Sequence, residues 1–391
     1  MIYIVTPGGT REKGGMGRIV DNFTTDLRTN APDVAFTVID TYGPGRFRRM
    51  PFYFAWAVLR LAAACLAGRA ELLHVHMADY GSVLRKGIIV ALAALFRVPV
   101  VLHLHAGRFP EQMERSGPLT RRAIAAVIGA CAEIVVLGDY WRRFTAATFP
   151  NARRITVLPN AVPGPAAVPE RVRADRGPDG TPGRPVRLLF LGRLIPIKGL
   201  NILLDALATP ACRDRNWVLT IAGDGDRDTY HAQAERLGLA DRVSFAGWLG
   251  PEQCREHLAA ADVLVQPSLF EGLPMAVLEA MAYGLAIVAT RVGSVGEAVE
   301  DGGSGLLVEP GDAAALAAAL ERVLTDGDLR AALAASARRR FEDQYDIAAY
   351  RGRLLEVYRR NGLSPHPHPS RRPASAPPLR RRPATIGERE P

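Results

Sequence analysis

The chain has 391 residues, of which 48% are hydrophobic and 23% are charged, and its formal net charge is +9. This composition is typical of a globular protein of two or three domains and excludes a chain that is disordered throughout. Its 4 cysteines lie far apart in the sequence, which argues against a disulfide scaffold or a structural zinc site and favours a reducing compartment.

The first residues and the longest apolar stretch give no membrane or export signal. The opening segment MIYIVTPGG is a short apolar strand without the basic region and cleavage site of a signal peptide. Residues 51–68 form the longest apolar stretch, but Arg60 interrupts it and it falls short of a membrane span of about 20 residues. We therefore expect a cytoplasmic protein.

Positive charge is concentrated in the first half of the chain. Residues 1–185 carry a net charge of +10, residues 186–363 carry −5, and residues 364–391 carry +4. A basic first half favours an anionic partner such as nucleic acid, anionic lipid or a phosphorylated ligand. Only Lys13, Lys86 and Lys198 are lysines among the 49 basic residues, so each lysine is a candidate functional residue.

The first half alternates between strand and helix patterns. Apolar runs rich in β-branched residues predict strands at Ile2–Val5, Phe36–Ile39, Leu72–Val75, Val98–Leu102 and Ile134–Leu137. Helix-length segments lie between them, at about 17–30, 51–67, 82–96 and 117–131. This order predicts a mostly parallel sheet with helices on both faces, and the continuous apolar character of the strands fits burial on both sides.

A connector rich in proline, glycine and charge, residues 163–185, precedes a second alternation of the same kind. Strands are predicted at Leu188–Leu191, Trp217–Ala222, Val243–Ala246, Val263–Gln266 and Ile287–Thr290, and three helices end the pattern at about 312–325, 328–343 and 346–360. We expect two doubly wound domains, 1–165 and 186–345, that face each other across a cleft. The last helix, 346–363, would cross back to the first domain, and the Pro/Arg-rich tail 364–391 would be disordered.

Two segments suggest a site for an anion. Gly15 and Gly17 follow the first strand and open a helix, although Val20 occupies the place of the third glycine of a dinucleotide fingerprint. Arg193 and Lys198 lie between the end of a strand and the start of the next helix. Two cations beside a helix start could bind a diphosphate without a metal ion, although surface charge is the ordinary explanation of such residues.

The most specific motif is the segment 270–281, FEGLPMAVLEAM. It follows a predicted strand, and Pro274 suits the first turn of a helix. This arrangement puts Glu271 in the loop and Glu279 on the helix, beside the free backbone N–H groups of the helix start. Carboxylates accept hydrogen bonds from sugar hydroxyls, and a helix start favours phosphate. A helix-capping Glu271 and a solvated Glu279 are the alternative.

Together with GRL…KG and the Gly-rich first loop, this segment resembles family 4 glycosyltransferases of the GT-B fold, in the branch that builds exopolysaccharides and other surface glycans. The resemblance implies an α/β protein of two Rossmann-like domains that transfers a sugar, with retention, from a nucleoside diphosphate sugar to a hydroxyl of a glycan or lipid-linked acceptor. It implies no metal ion.

The resemblance also implies individual roles. Arg193 and Lys198 would bind the diphosphate, Glu271 the sugar hydroxyls and Glu279 the ribose. His105, at the end of a strand of the first domain, would lie over the sugar, whereas His103 would be a packed histidine. Backbone and loop contacts to the donor would come from Gly15, Gly17, Gly223, Gly272, Leu273, Pro274, Met275 and Ala276.

Residues 46–60 are both basic and aromatic, which is typical of a segment that binds a membrane surface. A buried helix face explains the aromatic residues equally well. If the segment does bind lipid, the protein would be peripheral on the inner face of the plasma membrane, with a lipid-linked acceptor.

Other classes of protein stay open on the sequence alone. A non-catalytic sugar-nucleotide-binding protein and a GT-B sugar-nucleotide epimerase would share the fold, although the Glu-x7-Glu segment argues against the epimerase. A dinucleotide oxidoreductase would need the missing glycine fingerprint. Nucleic-acid binding would explain the arginines, but no recognised module is present.

Overall fold

A computed structural model describes residues 1–9, 15–43, 50–78, 81–105, 107–168 and 183–363 of the chain. The predicted disordered tail 364–391, most of the 163–185 connector, Lys13 and residues 46–49 of the basic aromatic segment lie outside the described residues. Every residue assigned a site role above is described.

The N-terminal lobe, residues 1–168, is built on a parallel sheet in the order β2-β1-β3-β4-β5-β6. Its strands are β1 (Ile2–Thr6), β2 (Phe36–Asp40), β3 (Leu72–Met77), β4 (Val100–Leu104), β5 (Glu133–Val136) and β6 (Ile155–Val157). The residues of β1, β3, β4 and β5 are all buried, as the continuous apolar runs predicted.

Helices connect these strands and cover both faces of the sheet. They are α1 (Gly15–Asn30), α2 (Met50–Leu66), α3 (Gly81–Leu95), α4 (Phe109–Arg115), α5 (Pro118–Ala130) and α6 (Asp139–Thr148). The sequence pattern predicted α1, α2, α3 and α5 within about two residues of their ends. It missed the short α4 and α6, which begin and end within loops of mixed polarity.

The C-terminal lobe, residues 183–344, repeats the plan with the order β12-β11-β10-β7-β8-β9, again parallel throughout. Its strands are β7 (Val186–Leu191), β8 (Trp217–Ala222), β9 (Val243–Gly247), β10 (Val263–Gln266), β11 (Ala286–Thr290) and β12 (Leu306–Val308). The order reverses between β7 and β10, which are neighbours in the sheet but not in sequence. In open α/β sheets, ligands bind beyond the carboxyl ends of such a strand pair.

The helices of this lobe are α7 (Leu200–Leu207), α8 (Pro210–Arg213), α9 (Arg227–Arg236), α10 (Pro251–Ala260), α11 (Met275–Ala282), α12 (Val295–Ala298), α13 (Ala313–Thr325) and α14 (Gly327–Gln344). All eight residues of α11 are buried, so this helix lies inside the lobe rather than on its surface. The two sheets with interleaved helices confirm the predicted fold class.

The last helix, α15 (Ile347–Arg360), packs on the N-terminal lobe. Arg351 Nη1 lies 2.7 and 2.8 Å from the two carboxylate oxygens of Asp26 on α1. Arg360 Nε donates to the buried Glu133 of β5 at 2.9 Å, and Tyr358 contacts His74 of β3. Because these contacts are ion pairs and hydrogen bonds to buried partners, α15 is fixed to the N-terminal lobe.

The aromatic segment of α2 is only partly buried. Phe52 and Trp56 are 78% and 62% exposed, whereas Tyr53 and Phe54 are half-buried. The alternative of a buried helix face is therefore wrong for Phe52 and Trp56. Among the described residues, no helix is long and apolar enough to span a membrane.

Candidate functional site

The carboxyl ends of the two sheets face each other, and the residues with predicted roles lie at these two edges. A Cβ atom built on Gly107, just after β4, would lie 3.0 Å from the carbonyl carbon of Glu271 in the opposite lobe. A Cβ on Gly15, at the start of α1, would lie 3.5 Å from Cγ of Met275. Loops from both lobes therefore contact the segment 270–281 directly.

Lys198 and Glu271 form an ion pair beyond the ends of β7 and β10. Their side chains are 21% and 12% exposed, so the pair is largely shielded from solvent. Ser268 Oγ donates to the same Glu271 oxygen at 3.1 Å, and Gln266 Nε2 lies 3.4 Å from it. The carboxylate is thus held in one orientation by a cation and two neutral donors.

The turn before α7 depends on one glycine. Gly199 has φ +69°, in the left-handed region, and a Cβ there would overlap the carbonyl oxygen of Pro267. This turn follows the 3-10 segment Pro196–Lys198, so it fixes Lys198 beside the end of β10. The Lys-Gly pair of the sequence motif therefore has a structural reason: the glycine allows the approach that the lysine needs.

Arg193 lies at the same edge, on the side of β8. Its Nε is 3.6 Å from Asp224 Oδ1, and both side chains are well exposed. The backbone of Leu194 donates to the Asp224 carbonyl at 2.7 Å, which joins the two loops. Gly223 has no room for a side chain, because a Cβ would overlap the Gly192 carbonyl oxygen. Arg193 and Gly223 thus share one loop pair, next to Lys198.

Asp224 and Asp226 form an Asp-x-Asp sequence, a pattern often found at metal ions. Asp226 accepts hydrogen bonds from the Thr229 amide at 3.2 Å and from its hydroxyl at 2.7 Å, and so caps α9. Asp224 faces Arg193. The two carboxylates therefore have partners of their own in this structure.

Glu279 is buried on α11, and its Oε1 lies 3.1 Å from Nε of Arg18 on α1. Its other oxygen, Oε2, is buried with no hydrogen-bond partner. Burial raises the pKa of Glu279, and Arg18 opposes that rise. A buried carboxylate oxygen without a hydrogen-bond donor destabilises the fold, so this atom is suited to accept a hydrogen bond from a hydroxyl of a ligand.

The start of α11 supplies free backbone donors. Among the described residues, the amides of Leu273, Met275 and Ala276 donate no hydrogen bond, and Pro274 has no amide hydrogen. The carbonyl of Gly272 accepts from the Ser294 amide at 2.9 Å, and the carbonyl of Leu273 accepts from Asn160 at 2.9 Å. The loop is thus held by its carbonyls, while its N–H groups stay available to an anion.

His105 lies at the end of β4, half-buried, with its carbonyl oxygen 3.6 Å from a Cβ built on Gly272. Its ring stacks on His103 with centroids 4.2 Å apart, so both rings point to the same side of the strand. Gly17 is buried in the first turn of α1, two residues beyond Gly15. The residues with predicted roles are therefore brought together around one interlobe region.

Sequence reasoning missed several residues of this region. Arg18 gave no signal because nothing in the sequence shows which side chain of α1 crosses to the other lobe. Gln266 and Ser268 gave no signal because polar residues are common where a strand ends. His74 and His76 did carry a signal, the pattern His-Val-His on β3, which is repeated as His-Leu-His on β4.

The comparisons with known proteins agree with this arrangement. The glycosyl transferases group 1 family matches residues 172–340, and the glycosyl transferase 4-like domain matches residues 4–161. A D-inositol 3-phosphate glycosyltransferase of Stackebrandtia nassauensis is 30% identical over 81% of this chain and 75% of its own. An alpha-D-kanosaminyltransferase of Streptomyces kanamyceticus is 28% identical over 70% of this chain and 73% of its own.

Solved structures share the fold. A sucrose-phosphate synthase of Thermosynechococcus elongatus superposes with a TM-score of 0.73 at 21% identity, covering 92% of this chain and 98% of its own. HepE of Anabaena, solved with UDP and glucose, gives 0.67 at 20% identity, covering 92% and 99%. The chain therefore belongs to the group 1, family 4 glycosyltransferases of the GT-B fold, and it is a glycosyltransferase that uses a nucleotide-sugar donor.

Proposed function

We propose that the enzyme transfers a sugar from a nucleoside diphosphate sugar to an acceptor hydroxyl with retention at the anomeric carbon. The acceptor oxygen would attack from the side of the departing diphosphate, whose oxygen takes the acceptor proton. The C1–O bond to the diphosphate breaks as the new C1–O bond forms. The transition state combines an oxocarbenium-like sugar with a leaving anion, so positive charge at the leaving group is the main requirement.

The observation that carries this proposal is the convergence of Lys198, Glu271 and the free amides of the α11 start at the edge that faces His105. Lys198, with Arg193 and the helix start, would stabilise the diphosphate and would need no metal ion for that task. Glu271 would accept hydrogen bonds from the sugar hydroxyls, and the unpartnered oxygen of Glu279 would accept from the ribose.

A panel of UDP, GDP and ADP sugars in a thermal-shift assay would identify the donor, since a ligand that binds only the folded state raises its stability. Turnover with the selected donor, followed by NMR of the anomeric carbon of the product, would test retention. An inverted product would contradict the mechanism.

Turnover should stay unchanged after exhaustive chelation of metal ions. A loss of turnover that Mg²⁺ or Mn²⁺ restores would contradict the metal-free part of the proposal. If no sugar nucleotide raises the melting temperature, the result contradicts both the proposed transferase and the alternative of a sugar-nucleotide-binding protein.

For the acceptor, we propose a glycan or lipid-linked saccharide of a cell-surface polysaccharide. A lipopolysaccharide core glycosyltransferase, LpsE of Rhizobium meliloti, is 35% identical over 48% of this chain and 53% of its own, which favours this branch. Incubation of the enzyme and donor with lipid-linked saccharides, and with free sugars as the control, would test it. Transfer to free sugars alone would contradict a lipid-linked acceptor.

We also propose that the N-terminal lobe binds an anionic membrane surface from the cytoplasmic side. Exposed apolar side chains follow helical spacing on two neighbouring helices, at Phe52, Trp56, Leu59 and Leu66 on α2 and at Leu84, Ile88 and Leu95 on α3. Arg60 is exposed beside the first stripe. An apolar stripe flanked by arginine suits the interface of an anionic bilayer.

Co-sedimentation with vesicles that contain anionic lipid tests this surface. We expect the wild-type enzyme to pellet at low salt, and a Phe52→Ser/Trp56→Ser variant to lose most of that binding. Leu119→Ser on α5 is the matched control, because Leu119 is as exposed as Phe52 but lies outside the two stripes. Equal pelleting of all three proteins, or of none, would overturn the proposal.

A further inference from the structure

Four histidines form a continuous array behind the interlobe edge of the N-terminal lobe. His74 and His76 lie on β3, and His103 and His105 on or just after β4, with His76 opposite His103 in the strand register. All four rings project from the same face of the sheet, where Phe23 of α1 stacks on His76 at 5.8 Å. His74, His76 and His103 are fully buried.

The rings form two hydrogen-bonded pairs that are stacked on each other. His76 Nδ1 lies 2.9 Å from His105 Nε2, and His74 Nε2 lies 3.3 Å from His103 Nδ1. His74 lies over His76 with centroids 4.3 Å apart and a tilt of 41° between the rings, and His103 stacks over His105 at 4.2 Å. His74 Nδ1 makes a further hydrogen bond to Tyr358 Oη, at 2.7 Å. Burial lowers the pKa of every ring, so all four are neutral.

The geometry differs from that of a metal centre. Nitrogen atoms of His74, His76 and His103 do lie within 4.8 Å of one another. Both nitrogens of His74 are already engaged, Nδ1 with Tyr358 and Nε2 with His103, so His74 has no nitrogen left for an ion. The array therefore fits a stack of neutral rings joined by hydrogen bonds.

Two unpaired nitrogens assign the protons. The Nε2 atoms of His76 and His103 are buried and have no partner. A neutral imidazole carries one N–H and one bare nitrogen. If His76 held its proton on Nε2, that donor would be buried without an acceptor, and His105 would have to donate from Nε2. With the proton of His76 on Nδ1, the donor is used and only a bare nitrogen is left unpaired, which is the less costly state.

We infer that His76 is a positioning residue that fixes His105 as the tautomer with its proton on Nδ1. His76 Nδ1–H donates to His105 Nε2, so Nε2 of His105 must be the bare nitrogen. Nδ1–H of His105 then takes part in none of the hydrogen bonds of the array, and it is the one ring donor left for a ligand. A neutral donor at this position would bind an oxygen of the transferred sugar, a step that rests on the proposed function.

The same logic applies to the second pair. His103 donates from Nδ1 to His74, and His74 donates from Nδ1 to Tyr358. This pair ends on α15 and has no hydrogen bond to His105. It supplies matched control positions with the same strands, the same burial and the same stacking.

Three variants separate positioning from packing. His76→Phe keeps an aromatic ring but removes the donor, and we expect kcat to fall about tenfold or more while the donor KM changes less than threefold. His76→Asn has an amide N–H near the Nδ1 position and should restore kcat to within about threefold of wild type. His103→Phe, the control, should keep kcat within about threefold. Equal loss in His76→Phe and His103→Phe, or no rescue by asparagine, would overturn the inference.

A second measurement needs no activity, so it separates failure of this inference from failure of the proposed function. The chain has only 8 histidines, and ¹⁵N labelling of their rings distinguishes a protonated nitrogen from a bare one by its chemical shift. We expect His105 protonated at Nδ1 in the wild type and shifted towards the Nε2–H form in His76→Phe. Protonation of wild-type His105 at Nε2 would overturn the inference. So would a stoichiometric metal ion on the purified protein that His76→Phe loses.

Discussion

The two edges that face each other across this enzyme use opposite electrostatics. At the C-terminal lobe, charged groups gather: Lys198 pairs with Glu271, and Arg193 faces Asp224. At the N-terminal lobe, the edge is backed by four neutral, stacked histidines. The same α/β plan thus carries charge at the edge proposed to bind the diphosphate and the sugar hydroxyls, and one neutral ring donor, His105, at the edge that faces it. The difference follows from burial, because β3 and β4 keep their histidines away from water, whereas Arg193 and Asp224 at the opposite edge are well exposed.

The neutral edge predicts the largest effect, a loss of stability in mild acid. The pKa of His74 is lowered to about 3, and those of His76 and His103 are also far below their usual range, through burial and neighbouring rings. Below pH 6.5 the histidines of the unfolded chain bind protons, whereas the buried rings of the folded chain do not. The free energy of unfolding is therefore at its full value above pH 6.5 and falls as the pH drops towards the pKa values of the folded state. Each ring that stays neutral costs on the order of 1 kcal/mol at pH 5.5, so the buried rings together cost several kcal/mol.

Urea unfolding at pH 7.5 and pH 5.5 measures this loss. Lys86 and Tyr358, which face the rings from α3 and α15, supply no negative charge that would offset it at these pH values. The variant His74→Phe removes one titrating ring and keeps an aromatic ring in its place, so its loss between the two pH values should be smaller by about 1 kcal/mol. If the wild type and the variant lose the same free energy, His74 is not neutral in the folded state and the contrast between the edges is broken.

The charged edge predicts the next largest effect, a loss of turnover in Lys198→Ala. Removal of one group that stabilises a developing negative charge typically costs about 2.7–4 kcal/mol, so kcat should fall about a hundredfold or more with the fold intact. Arg215→Ala is the control, because it removes an exposed cation that pairs with Glu321 outside the site. Steady-state kinetics with a saturating donor measures both variants. Near-full turnover in Lys198→Ala would remove this lysine from the mechanism.

The contrast also explains how far the sequence could predict the molecule. Strands such as β3 and β4 are continuous apolar runs, and helix α1 has glycines at its start, so the layers and their order follow from periodicity. Glu271 and Glu279 stood in one dense motif, and Lys198 and Glu271 follow the two strands that meet at the strand-order reversal, so their convergence could be expected. The cross-lobe partner Arg18 and the role of His76 could not, because they depend on which side chains meet after the two sheets have folded and docked.

The smallest effect concerns Glu279, where the charged edge crosses to the other lobe. Its unpartnered Oε2 should accept a hydrogen bond from a ribose hydroxyl in the donor complex. Glu279→Gln keeps the shape but loses a charged acceptor, an interaction worth about 1.5–3 kcal/mol, so the donor KM should rise about tenfold or more while kcat changes less than threefold. Arg18→Ala tests the same carboxylate from the other side, since it keeps Glu279 and removes the ion pair of 3.1 Å together with the contact of Arg18 to Cys254. Two donor analogues, one with 2′-deoxyribose and one with 3′-deoxyribose, decide the matter. The wild type should bind the analogue that lacks the bound hydroxyl more weakly than the full donor. Glu279→Gln, which has already lost this interaction, should bind that analogue about as well as the full donor. If both enzymes discriminate equally against both deoxy forms, Glu279 binds no ribose hydroxyl, and its buried charge serves only to join the two lobes through Arg18.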